Sequence, residues 1–318
     1  MARVALLGAR GIGKHHAKWF HHSGADVVAC LGTCPATAEA AAEALRGLFP
    51  FCGKAYHDLD TLLAEAEPDT LAITCPPQYH LGYVDLALER GLDVWCEKPL
   101  HFREDASSAQ LVAEAAKSMS RAREADSVFG LSLQYVAAAD WLLGLYRERT
   151  GEAPEMRRFE FLFESVKPSR APDDFAALWI DLGPHQLALL QALAPGGEVA
   201  EGSLRMWGEP PRLRLDFDWV RPCQPACAVS FELATVESKP RRQFGFDGLV
   251  WEYQGRSDAS GVFRAILARQ QEEVWGPDFL DASIKRFLAG APYVGPDFAL
   301  ANTQLLFGFL DQLKAAGL

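Results

Sequence analysis

Three side chains of this 318-residue chain have the types and spacing for chemistry. Lys98 stands in Glu97-Lys98-Pro99, directly after the short apolar run Leu92–Cys96. A buried strand takes Leu, Val, Trp and Cys but not Glu-Lys, so the sheet is expected to stop before Glu97. In open α/β sheets ligands bind beyond the carboxyl ends of strands, which puts Lys98 in a crevice. Pro99 fixes its own φ, pushes Lys98 towards extended geometry, and makes this the one common setting for a cis bond. Asp181 and His185 lie far along the chain, in Trp179-Ile180-Asp181-Leu182-Gly183-Pro184-His185. Their i, i+4 spacing places both on one face of a helical turn. An imidazole, with an ordinary pKa of about 6.5, suits proton transfer near neutral pH, and the carboxylate would orient it. The Lys98 ammonium would polarise an oxygen and favour a developing alkoxide.

Strand–helix alternation must position Lys98. Short apolar runs at Arg3–Gly8, Ala25–Cys30, Thr70–Thr74, Leu92–Cys96 and Ser127–Ser132 alternate with helical patterns at Gly13–Ser23, Ala36–Leu48, Tyr79–Arg90 and Glu104–Ser118. That rhythm predicts an α/β fold: an N-terminal Rossmann domain with a doubly wound parallel sheet over residues 1–132. The first strand runs into Gly8-Ala9-Arg10-Gly11-Ile12-Gly13. The dinucleotide fingerprint G-x-G-x-x-G needs a tight turn, a close approach to the pyrophosphate and a helix packed on a strand. Gly8 and Gly13 fit its first and third places. Arg10 occupies the second, with glycine displaced to Gly11; its guanidinium either obstructs the phosphates or contacts them. The helix amides beyond Gly11 offer an anion site. The second strand ends in Leu31-Gly32-Thr33-Cys34, without the carboxylate that binds the ribose hydroxyls of NAD. Gly32 leaves room for a 2′-phosphate and Thr33 is a donor, which favours NADP over NAD.

After Tyr135 the rhythm changes. A helix at Ala137–Arg149 and strand-like runs at Met156–Glu164, Ser203–Trp207, Leu213–Trp219, Cys227–Ala234, Arg242–Phe246 and Leu249–Tyr253 predict a C-terminal α+β domain, residues 133–318, with a mainly antiparallel sheet. An apolar helix is centred on Leu187–Leu190, after a Pro-rich loop that begins at Lys167. Further helices are expected at Val262–Val274, Asp278–Leu288 and Leu300–Ala315. Trp179, Arg170, Phe175, Trp251 and Gln134-Tyr135 are candidate pocket liners.

Lys and Arg number 31 against 42 Asp and Glu, a net charge of −11, which argues against nucleic-acid or anionic-membrane partners. No apolar run reaches the ~18 residues of a membrane helix. The strand-like start at Met1–Gly8 leaves no signal peptide, so a cytoplasmic protein is expected. The cysteines number seven, lie mostly in apolar runs and lack a zinc-finger His pair; reduced, mostly buried thiols and no metal site are expected.

In order along the chain, Gly13-Lys14-His15-His16, Thr74-Cys75-Pro76-Pro77-Gln78-Tyr79-His80, Glu97-Lys98-Pro99 and Asp181-Leu182-Gly183-Pro184-His185 resemble the motifs of the glucose–fructose oxidoreductase / inositol dehydrogenase (Gfo/Idh/MocA) family. Phe287-Leu288-Ala289-Gly290 and the helix after it are similar to that family's closing segment. The resemblance implies an NAD(P)-dependent enzyme moving a hydride between nicotinamide C4 and a hydroxyl or keto carbon of a sugar, polyol or related small molecule. It implies Lys98, Asp181 and His185 as catalytic residues. It assigns the cofactor to Gly8, Arg10, Gly11, Ile12, Gly13, Gly32, Thr33, Thr74, Pro76, His80, Glu97 and Lys98. His16 and His80 would position rather than react, and a homodimer or homotetramer is implied. Two departures stand beside it: Arg10, and Asp174–Leu178 where many relatives carry a glycine-rich run. A dinucleotide-binding regulator without turnover, and a redox-neutral enzyme that uses NAD transiently, remain open as alternatives.

Overall fold

In the computed structural model, which describes residues 1–166 and 174–318, the alternation becomes β1 (Arg3–Leu7), α1 (Gly13–His22), β2 (Asp26–Leu31), α2 (Pro35–Arg46), β3 (Lys54–Tyr56), α3 (Leu59–Ala66), β4 (Thr70–Ile73), α4 (His80–Glu89), β5 (Asp93–Glu97), α5 (Ser108–Glu124) and β6 (Phe129–Ser132). The six strands pair in parallel in the order β3-β2-β1-β4-β5-β6. This is the doubly wound sheet expected from the sequence. Its order reverses between β1 and β4, and the crevice beyond those strand ends is where such sheets take ligands. Val4, Ala5 and Leu6 are wholly buried, which fits an apolar strand covered on both faces.

Two features here depart from the expectation. β3 and α3 escape notice because Lys54-Ala55-Tyr56 is too short to show a period. β5 does not stop before Glu97: Glu97 is its last residue, paired with Ser132. A carboxylate is tolerated there because hydrogen-bond partners meet it, as described below.

The chain divides into two compact units, Met1–Leu133 with Leu280–Thr303, and Gln134–Phe279 with Gln304–Leu318. The segment 280–303, which the sequence reading gives to the second domain, thus belongs with the first unit. Aromatic packing accounts for it. Phe287 of α8 (Phe279–Leu288) lies 5.3 Å from the Trp95 ring and 6.2 Å from Phe20, and the Val294 carbonyl accepts from the Leu131 amide.

The second unit holds α6 (Ala139–Thr150), β7 (Arg158–Val166), α7 (Phe175–Leu193) and β8 (Glu198–Val199), then β9 (Arg205–Glu209), β10 (Arg212–Val220), β11 (Cys227–Val236), β12 (Arg242–Phe246), β13 (Leu249–Ser257), β14 (Phe263–Arg269) and β15 (Glu272–Pro277). Most of α9 (Pro296–Ala315) also belongs to it. The sheet order is β15-β14-β13-β12-β7-β11-β10-β8, with β9 on β10; β7 and β11 run parallel and every other described pair is antiparallel. The expected helix at Val262–Val274 is instead the β14–β15 hairpin, turning at Gln270 with φ 56. Its apolar residues fit a helical spacing, but pairing with β13 buries Ala265 and Leu267 and prevails. The Pro-rich loop lies outside the described residues over 167–173, and Arg170 with it.

One sheet face packs under α7. Phe159, Phe161 and Phe163 point to it, and the Gln186 side-chain amide of α7 donates to the Phe161 and Glu232 carbonyls at 2.6 and 3.1 Å. Among the described residues no helix is long and apolar enough to cross a membrane.

Candidate active site

The glycine loop folds as a nucleotide cradle despite Arg10. Gly8 has φ 100 and Gly11 φ 61, both left-handed values that favour glycine. The displaced glycine therefore supplies the turn: the Gly13 amide donates to the Arg10 carbonyl at 3.2 Å, with Gly11 inside that turn. A Cβ at Gly13 would sit 2.0 Å from the Gly8 carbonyl oxygen and 2.6 Å from the Thr74 hydroxyl, so no other residue fits. Thr74 closes the cradle, its hydroxyl donating to the Gly8 carbonyl at 2.7 Å.

A cavity of about 750 Å³ opens over this loop, within the range of ligand pockets. Gly8, Arg10 and Gly11 line it, with Gly32, Thr33, Thr74 and Pro76. Ile12, Gly13, His80, Glu97 and Lys98 do not; Ile12 is exposed and Gly13 is packed beneath the loop. His57, Asp58 and Tyr83 also line it, and the sequence reading missed all three. His57 and Asp58 follow the unnoticed β3, and Tyr83 sits on α4, an expected helix whose inward-facing residues carry no motif. Gly32 is glycine because α2 begins against it: a Cβ would lie 2.4 Å from the Ala38 amide nitrogen. Thr37 accepts from the Thr33 and Cys34 amides, both at 3.0 Å, and lies 3.3 Å from the Thr33 hydroxyl. The β2 end thus presents hydroxyls where NAD sites carry a carboxylate.

Lys98 follows β5 directly, half-buried, at a cis bond to Pro99. Buried polar groups hold its neighbours. The Glu97 carboxylate takes the His16 Nε2 at 2.9 Å through Oε1 and the Lys98 amide at 3.0 Å through Oε2. The Trp95 indole donates to His16 Nδ1 at 2.9 Å. Indole is a donor only, so Nδ1 is the acceptor and His16 carries its proton on Nε2, donating to Glu97. On the other side His80 is 1% exposed and meets two carbonyls, Pro99 at 2.9 Å through Nδ1 and Cys75 at 2.7 Å through Nε2. Burial pushes its pKa down, against the pull of those carbonyls. His16 and His80, read from sequence as positioning residues, both act on this turn.

Asp181 and His185 share α7 in the second unit, Asp181 exposed and His185 buried. Asp174 starts that helix by accepting from the Ala177 amide at 2.6 Å. Gly183 makes room for Trp179, whose ring a Cβ there would meet at 2.7 Å; the indole donates to the Leu306 carbonyl at 2.9 Å. His185 stands among aromatic rings, with centroids 5.3 Å from Tyr135 and 5.7 Å from Phe163. Tyr135 is fully buried and desolvation pushes its phenol up to about 12. Of the other expected liners, Trp179 and Trp251 are core residues at 0% and 1% exposure, and Phe175 is buried. Among the described residues no cluster could hold a metal ion, and the seven cysteines are free.

The fold and cradle define a dinucleotide-binding α/β unit joined to a sheet domain. Residues 2–124 match the family described as "Oxidoreductase family, NAD-binding Rossmann fold", GFO_IDH_MocA, so the family resemblance read from the motifs is borne out over that segment. Inositol 2-dehydrogenase of Corynebacterium glutamicum (strain R) is 34% identical over 100 residues, 31% of this chain; the matched stretch spans only 28% of that relative's length. A WlbA (WbpB) dehydrogenase from Thermus thermophilus, solved with NAD and UDP-GlcNAcA, superposes with a TM-score of 0.69 at 18% identity, covering 98% of this chain and 95% of that one. A 3-ketoreductase from Actinomadura kijaniata, solved with TDP-benzene and NADP, gives 0.65 at 16% identity, covering 96% and 95%. The two structures share the fold.

Proposed function

We propose that the protein is an NAD(P)-dependent oxidoreductase acting on a hydroxyl or keto carbon of a sugar, polyol or related small molecule. The observation that supports this most directly is the Glu97-Lys98-Pro99 turn, pinned by His16 and His80 in the unit that matches an NAD-binding family. The dinucleotide fits the cradle made by Gly8, Gly11, Gly13 and Thr74, and bound there it would supply or accept the hydride. Lys98 polarises the substrate oxygen, and its charge favours the alkoxide over the neutral alcohol. His185 takes or returns the hydroxyl proton, and Asp181, one turn earlier on α7, orients the imidazole and stabilises its charged form.

NADP is the favoured cofactor. Thr33 and Arg10 line the cavity and suit a 2′-phosphate. Among the described residues the one lining carboxylate is Asp58, whose Oδ1 already accepts from the Thr61 amide and hydroxyl, at 2.8 and 2.6 Å. A lower KM for NADH than for NADPH would overturn the preference. A homodimer or homotetramer is the expected assembly, checked by light scattering.

Absorbance at 340 nm, followed with each dinucleotide against a panel of polyols and sugars, tests the activity. Lys98→Ala and His185→Ala should each lower turnover by ~10²–10⁴-fold with cofactor binding intact. Near-normal turnover in both variants would sink the assignment. Cofactor binding with no hydride exchange on any substrate would instead favour a regulatory protein.

A further inference from the structure

Two neighbouring arginines in the second unit have opposite surroundings. Arg241 donates to Glu164 through its backbone amide and through Nε and Nη2, at 3.0, 3.2 and 2.9 Å. Arg242, the next residue, points to the α7 side of the sheet and enters no ion pair among the described residues. Its register partner is Phe163, itself opposite Leu233, so it is a cation in an apolar row. Its guanidinium lies 5.1 Å from the Phe163 ring centre and 5.8 Å from Tyr253. Nε is buried and has no hydrogen-bond partner. Ring contact holds a guanidinium in place but leaves its fork of donors open. The phenol of Tyr135, wholly buried, stands next to it. Its hydroxyl meets no partner at full hydrogen-bond geometry, and Arg242 bears on it both by charge and by hydrogen bonding. Tyr135 and Phe163 are also the rings against His185.

A buried donor left open is costly, so its persistence points to a partner that comes and goes. We infer that Arg242 and the Tyr135 hydroxyl form a subsite for an oxyanion, a carboxylate or phosphate carried by the substrate, beside His185. Arg suits this ligand because its planar donors pair two oxygens at once. The Asp278 charge acts on both Tyr135 and Tyr253, and its repulsion disfavours an anion that sits closer to Asp278 than to Arg242. The anion is assigned to the substrate on the reading of His185 as the acid–base; the subsite itself stands on the Arg242 geometry.

Titration calorimetry of the full chain with D-gluconate, glycerol 3-phosphate and sorbitol separates the sources. At least one anion should bind more tightly than the neutral polyol, and the tighter of the two shows whether carboxylate or phosphate is taken. Arg242→Gln should weaken that anion by about 10- to 150-fold, as expected for a lost charge-assisted contact, and leave sorbitol unchanged. Arg256→Gln, which removes an arginine stacked on Trp275, is the control for bulk charge and should bind as the parent does. Equal affinity for sorbitol and both anions, no measurable binding of either anion, or anion binding that survives Arg242→Gln would each overturn the subsite. Lys98→Ala should keep anion binding while losing turnover, so failure of the reaction and failure of the subsite are separate results.

Discussion

The two places where chemistry is assigned are built in opposite ways. Around Lys98 the supporting polar groups form a closed chain: Trp95 to His16, His16 to Glu97, Glu97 to the Lys98 amide, with His80 bridging Pro99 and Cys75. Around His185 stand the Tyr135 and Phe163 rings, and the nearby Arg242 Nε is left open. A closed network fixes geometry, because no member can move without leaving a buried group unsatisfied. An open cluster fixes little by itself and keeps binding capacity for an incoming polar group. The first arrangement suits a residue that acts on every substrate; the second suits recognition of a particular one.

The contrast is broken most directly at Lys98. Lys98→Ala carries the largest expected effect, ~10²–10⁴-fold in turnover, and no neighbour should compensate for it. Next comes His16. In its Nε2–H form it is one donor and one acceptor, which glutamine reproduces and leucine does not. His16→Leu should lower kcat by ~10–100-fold through misplacement of the turn while the cofactor Kd stays near the parent value. His16→Gln should recover most of that loss. Equal kcat in the parent, the Leu and the Gln variants would show that the chain around Lys98 only stabilises the fold.

A carboxylate with no assigned chemistry sharpens the same comparison. Glu164 is 3% exposed and accepts from Arg241 and Arg212. The hydrogen bonds from Arg241 pull its pKa down to about 2 from 4.5, against the opposing cost of burial. That stability is present above pH 4.5 and lost as pH falls towards 2. The arginines are 40% and 53% exposed, so solvent screening reduces the contribution to about 1–2 kcal/mol. Urea unfolding of Glu164→Gln at neutral pH should show this loss, and the difference from the parent should vanish near pH 2.

Much of the first unit was legible because its strands are continuous apolar runs between helices, a pattern that local sequence carries by itself. The parallel sheet, the cradle at Gly8–Gly13 and the strand-end place of Lys98 follow from it. β3 is too short to show a period, and Glu97 reads as lying outside the sheet because its partner, His16, is far away in sequence. In the second unit the β14–β15 hairpin failed for another reason: Val262–Val274 fits a helical period, and only pairing with β13 decides against it. Arg242 was read as the start of a strand and nothing more. Its neighbours, Phe163, Tyr253 and Tyr135, come from separate elements and carry no common motif.

The smallest effect lies at His80, where geometry and burial pull in different directions. Two carbonyls face its two ring nitrogens, and only the doubly protonated ring donates to both. Desolvation nevertheless holds the folded pKa below 6.5. The unfolded chain therefore takes up the proton first as pH falls, and folding stability drops from pH 6.5 towards the folded value. Glu97 and His101 bear on the same ring from the β5 side, Glu97 favouring the charge and His101 opposing it. The drop stays below about 1.4 kcal/mol per pH unit, the most one proton can contribute. His80→Gln removes the titration and keeps one donor, so its stability should fall less steeply than the parent's below pH 6.5. Identical slopes would mean that His80 holds the same charge in the folded and unfolded chains. A steeper fall in the variant would mean that the charged ring, clamped between Pro99 and Cys75, is the preferred folded form.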